Sequence, residues 1–326
     1  MGNLKLFYGE NTYLIESEMK KIKKEFGELV LGINYVPLDE NNINTVIAEL
    51  ETPPFGYERK LIIAKNCNLL KKETKTKKNK NAEISQKIAD YIKNNFDNMQ
   101  DDILFIIIEE TAEKTSELYK EITKHGEIKE FTELKPAELV QKLRSICNGY
   151  KVELDAETAK YIVEICGTSL QELINEIRKL IEYAGINGKI DRKAVDLLAI
   201  PKIEAVIFDL TDNLGNKKIA EALEVLRNLI YNKEPVQKIL ITLYNHFKKL
   251  YLVKLAVQEN SDLVPILNLK PTQTFLISKY KKQAEYFSKH KLRQILEQLI
   301  DLDANSKVGK IDLNLGLEAI LCNCIE

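Results

Sequence analysis

The sequence predicts an α/β domain followed by a small helical segment and a longer all-helical one. Three observations carry the assignment. Short apolar runs alternate with amphipathic stretches between residues 4 and 131. Beyond Pro136 these runs stop, and apolar residues recur at helical spacing. Gly 13 and Pro 8 together make 21 of 326 residues, about half the usual share, so turns are few and helices dominate.

LKLFYG (4–9) is a buried strand closed by glycine. Asn11 then caps a helix on which Ile15, Met19, Ile22 and Phe26 step by four, three and four. INYVPL (33–38) is a second strand, and Asp39 starts a helix carrying Ile43, Val46, Ile47 and Leu50. KLIIAKN (60–66) is a third strand, and ILFIII (103–108) a fourth that is apolar on both faces, as a parallel sheet covered by helices requires. GEIKEF (126–131) is the fifth. Such alternation argues for an open α/β sheet.

Pro136 suits the first turn of a helix through Leu139, Leu143 and Ile146 that ends near Gly149. Asp155 caps the next helix. Ser169 and Glu172 form a capping box for residues 173–184, closed by Gly185, and Asp191 starts a short last helix. Ile200-Pro201-Lys202 reads as a linker. In the final third Ile219, Leu223, Leu226 and Ile230 mark one helix face, Pro235 and Pro271 open two more helices, and 292–302 follows. The expected domains are 1–135, 136–200 and 201–326.

Composition excludes several functions. Lys+Arg 48 against Asp+Glu 49 leaves a net charge of −1, so any contact with nucleic acid must be local or shared with partners. The opening MGNLKLFYGEN is no signal peptide, and no apolar run approaches the ~18 residues of a membrane span. A cytoplasmic protein with no membrane partner is expected. The five cysteines are odd in number and scattered, which is no disulfide framework. Cys322 and Cys324 lack a second pair, His125, His246 and His290 lack companions at metal-ligand spacing, and no GxSxG occurs. The sequence therefore predicts no metal, no cofactor and no catalytic residue.

A nucleotide site fails the same test. A P-loop needs GxxxxGK[ST] between the first strand and helix, because glycine amides and the lysine cradle phosphate. That place holds Gly9-Glu10-Asn11-Thr12, without lysine and with a repelling acid. FIIIEE (105–110) resembles a Walker B strand, but without a P-loop its Glu109-Glu110 pair reads as a strand end facing water. Near the C-terminus Asp301, Asp303, Asn305 and Asp312 imitate a calcium loop, yet Ser306 stands where glycine is obligatory and the apolar period of a helix runs on.

Two features remain. Lys71, Lys72, Lys75, Lys77, Lys78 and Lys80 crowd a run without apolar residues. It is either a solvated, self-repelling loop or an arm contacting DNA phosphates. In PPFGYERK (53–60), Pro53 and Pro54 stop a helix and Gly56 permits a sharp turn. Phe55 between them is either folded into the core or presented to a partner.

LFYGENTYLIESEMKKIKK and LETPPFGYERKLIIAKN resemble the delta subunits of the bacterial DNA polymerase III clamp loader. GTSLQELINEIRKLIEYAG, VIFDLTDNLGNKKIAEALEVLRNLI and KVGKIDLNLGLEAILCNC continue the resemblance in family order. It implies an AAA+-like α/β domain without a P-loop, a helical lid domain and a helical collar domain for oligomerisation. It also implies a clamp-binding pair, leucine then phenylalanine in the family, which falls on Pro54 and Phe55 here. In hydrolysing relatives the lid segment carries a sensor arginine at the place of Leu170, and no Ser-Arg-Cys finger motif is present. The function so implied is a component of the DNA polymerase III holoenzyme, a DNA-directed DNA polymerase, that is not an enzyme on its own. It would bind and open the sliding clamp during DNA replication without hydrolysing ATP. The implied partners are the beta clamp, the delta prime and gamma/tau subunits, and primer-template DNA within the assembled loader. The alternative is a catalytically inactive AAA+-like adaptor with other clients; an active ATPase is disfavoured by the residues above.

Overall fold

The computed structural model describes residues 3–71, 80–95, 102–259 and 261–324. The chain divides into two compact units, Met1–Glu133 and Leu134–Glu326.

The first unit holds β1 (Leu4–Tyr8), α1 (Thr12–Phe26), β2 (Tyr35–Leu38), α2 (Val46–Glu51), β3 (Lys60–Lys65), α3 (Ala82–Asn95), β4 (Ile103–Glu109), α4 (Glu117–His125) and β5 (Glu127–Glu130). The strands form one parallel sheet in the order β2-β3-β4-β1-β5. Both faces are covered, which is why β4 is apolar from Ile103 to Ile108. Ile103, Phe105 and Ile107 pack with α2, α3 and α4, whereas Leu104, Ile106 and Ile108 pack against Ile15 and Met19 of α1. Pro37, which lacks a donor, lies in β2 at the sheet edge. This is the expected AAA+-like α/β architecture.

The second unit is helical: α5 (Pro136–Gly149), α6 (Ala156–Cys166), α7 (Leu170–Ala184) and α8 (Arg192–Leu198), then α9 (Ile203–Gly215), α10 (Ile219–Tyr231), α11 (Val236–Gln258), α12 (Leu263–Ile266), α13 (Leu276–Glu285), α14 (Lys289–Lys307) and α15 (Leu313–Cys322). One hydrophobic core runs from Ile203 to Cys324. The neutral polar chain His246–Gln283–Phe208 O is buried in it, with both links at 2.8 Å.

Several local expectations need correction. Asp39 starts no helix; its carboxylate accepts from the N–H groups of Asn41 and Asn42, holding a turn, and α2 begins only at Val46. Ser169 makes no side-chain cap, and the Glu172 carboxylate, expected to return to the Ser169 backbone, pairs with Lys202 at 2.6 Å. Pro271 opens a single 3-10 turn rather than an α-helix. Two short strands, β6 (Glu153–Leu154) and β7 (Lys189–Ile190), pair in parallel within the helical segment, too short to show a period in the sequence. Asp301 and Asp303 do lie inside a helix, α14.

Candidate functional site

The segment 53–59 joins α2 to β3. Thr52 leaves the helix in an extended conformation, and the two prolines that follow cannot continue it. Gly56 has φ +77°, a left-handed conformation that permits the reversal. Pro54 is half-buried, and Phe55 at the bend is 86% exposed. The core alternative for Phe55 is therefore excluded. The phenyl ring is thus held in water beside a limb stiffened by two prolines.

Both limbs of this bend are tied down. Lys60, at the base of the returning limb, is 1% exposed, and its ammonium donates to Glu49 O (2.9 Å), Glu49 Oε2 (2.8 Å) and Thr52 O (3.1 Å). The Arg59 guanidinium lies over the Phe26 ring, 4.4 Å from its centroid. Neither residue was singled out by sequence. The one local signal is a lysine heading a strand that is otherwise apolar up to Ala64.

At the place of a P-loop the chain turns within Gly9–Asn11 alone. Its amides are already engaged: Gly9 N–H donates to Glu109 O (3.2 Å) and Asn11 N–H to Phe131 O (3.1 Å). The Asn11 side chain accepts from Leu14 N–H as the helix cap and donates to Thr132 O. A side chain at Gly9 would meet Phe131 O at 2.2 Å, so this turn is packed against β5's exit rather than open to a ligand. Leu170 is buried.

Glu109 does not face water. It is 5% exposed and accepts from Leu69 N–H (3.0 Å) and Asn68 N–H (3.2 Å). Burial pushes its carboxyl up to about 7, against the opposing pull of those amides. Glu110 alone is exposed. The carboxylate thus anchors the bend 66–70 that leads into the lysine run. Of that run Lys71 and Lys80 are exposed, while Lys72, Lys75, Lys77 and Lys78 lie outside the described residues.

Four of the five thiols, all but Cys322, are buried. Burial pushes Cys67, Cys166 and Cys324 up to about 12 and Cys147 to about 11, which leaves them protonated at neutral pH. Among the described residues no group of three or more His, Cys, Asp or Glu is placed to hold a metal, and no helix is long and apolar enough to cross a membrane.

A family model described as DNA polymerase III, delta subunit, matches residues 6–132, and one described as DNA polymerase III delta subunit, C-terminal domain, matches residues 204–324. The chain is 28% identical over 335 residues to DNA polymerase III subunit delta of Bacillus subtilis (strain 168), spanning 98% of this chain and 92% of that one. It is 26% identical over 309 residues to a probable DNA polymerase III subunit delta of Aquifex aeolicus (strain VF5), spanning 93% and 85%. Among solved structures, the Bacillus subtilis DNA clamp loader delta protein (YqeN) matches with a TM-score of 0.72 at 26% identity, covering 99% of this chain and 95% of that one. The two family models meet the α/β sheet at one end and the helical core at the other, and the relatives span both: the chain belongs to the DNA polymerase III delta-subunit family.

Proposed function

We propose that this chain is the clamp-loader subunit that binds the ring-shaped sliding clamp and helps open it, with Phe55 as the gripping side chain and Pro54 packed beside it. The observation that carries the reading is the exposed phenyl ring on a segment whose two limbs are fixed. Family membership supports it, and so does the likeness to the Bacillus subtilis DNA clamp loader delta protein. Burying a phenylalanine contributes about 2–3 kcal/mol, enough to bias a ring interface close to its opening point. The protein acts mechanically, in the company of the other loader subunits and DNA, and nucleotide energy enters through those partners. Within the second unit, 136–200 serves as the lid and 201–326 as the collar that joins the loader ring.

Phe55→Ala tests the reading. Truncating an interfacial aromatic anchor costs about 2–4 kcal/mol, so clamp affinity should fall by about thirty-fold or more, with melting unchanged because the ring touches no core. Pro54→Ala should cost less, since proline offers a smaller apolar surface. Affinity by calorimetry and melting are read on the same preparation. A Phe55→Ala protein that holds the clamp at wild-type strength sinks the assignment.

A further inference from the structure

Lys60 opens β3, a strand otherwise apolar as far as Ala64, and lies almost wholly out of water. A charged side chain stays in such a place only when its donors are taken up. All three of its acceptors lie at the end of α2: Glu49 O, the Glu49 carboxylate and Thr52 O. The last carbonyls of a helix have no partner within it, and the helix dipole favours a cation there. A further carbonyl, Ala48 O, accepts from Thr52 Oγ1 at 2.6 Å. The outgoing limb thus leaves α2 from a fixed point. The returning limb is fixed in turn, because Lys60 N–H donates to Asp102 O at 2.8 Å and Arg59 is stacked on Phe26. One ammonium joins the two ends of the segment 53–59.

We propose that Lys60 is a positioning residue for the clamp contact: it closes the base of the 53–59 segment and so presents Phe55 in one place, without touching the partner. This rests on Phe55 being the gripping side chain. A segment open at its base must be ordered when it binds, and that ordering weakens association; a closed one arrives ordered. A methionine at position 60 would fill the same volume but carry no donors, freeing Thr52 from its tie. Glu49→Ala removes only the countercharge, from the half-exposed face of α2, and keeps a good helix former.

The chain contains no tryptophan, so Phe55→Trp places a single emitter at the bend of the free protein. Its anisotropy and its quenching by acrylamide are measured with and without Lys60→Met, and again with Glu49→Ala should the methionine variant not fold. Anisotropy should fall in both variants, more in Lys60→Met. Clamp affinity is then read with Phe55 intact, well below melting, and should drop by about tenfold or more in Lys60→Met. Ile122→Ala, on the buried face of α4, serves as a control destabilised elsewhere; it should leave both readouts at wild-type values. Unchanged anisotropy in the variants overturns the brace. So does a loosened bend with wild-type clamp affinity, and so does an equal loss in the Ile122→Ala control. If instead Phe55→Ala binds the clamp normally while the reporter still loosens, the gripping role fails and the brace at the base of the segment stands.

Discussion

Glu109 ends the central strand with a carboxylate that takes two backbone N–H groups yet sits out of water. Its carboxyl is pushed up from the ordinary 4.5 to about 7, so the folded chain holds this proton more tightly than the unfolded chain does. The stability it contributes is full below about pH 4.5 and is lost as pH rises through about 7. His246 works in the opposite sense. Burial holds its imidazole down at about 4, and stability is lost as pH falls from 6.5 through that value. The two are separated by a difference measurement. Between pH 5 and pH 8, Glu109→Gln should gain on wild type by about 1–3 kcal/mol, with the His246 contribution cancelling. Thermal melts of both proteins at the two pH values supply the number; a gap that stays constant, or narrows in the other direction, rules out a titrating Glu109.

Helix packing sets a second expectation. α9 ends at Gly215, where an added Cβ would lie 2.0 Å from Cδ2 of the Tyr286 ring. The ring belongs to the same core and has aromatic contact with Phe287, which restricts how far it can yield. Gly215→Ala should therefore cost about 1–3 kcal/mol through overpacking. Gly149, at the end of α5, has nothing within 4 Å of the same added atom. Gly149→Ala should be neutral or stabilise by up to about 1 kcal/mol, since alanine loses less backbone freedom on folding. Denaturant midpoints of the two variants check the contrast, and equal effects would show that the ring moves freely.

A net charge of −1 gives the protein no long-range pull toward a polyanion, and the α/β unit offers no open phosphate cradle at the β1–α1 turn. The isolated chain should accordingly show no saturable heat with micromolar ATP in calorimetry. A defined one-to-one binding isotherm would mean that the Gly9–Asn11 turn opens, and that nucleotide acts on this subunit directly.

The strands, their order of appearance and the helical second half follow from patterning, because a parallel sheet buried on both faces forces continuous apolar runs and a helix forces spacing near 3.6. Pro136, Asn11 and Asp155 act on their immediate neighbours, so their roles are legible in the chain alone. The Pro-Pro-Phe-Gly segment was recognisable as a bend, but local chemistry permits Phe55 to turn inward or outward; the course of the limbs between α2 and β3 decides for solvent. Lys60 and Glu109 lay beyond reach for a related reason. Glu109 is held by backbone amides of a distant segment, and Lys60 by two backbone carbonyls and the Glu49 carboxylate, partners that no sequence pattern marks. The expected Ser169–Glu172 box is absent as well: Ser169 makes no side-chain cap, and the Glu172 carboxylate pairs with Lys202 at 2.6 Å. Short-range hydrogen bonding and periodic burial are written residue by residue, whereas the partners of a buried charge exist only once the chain has brought them together.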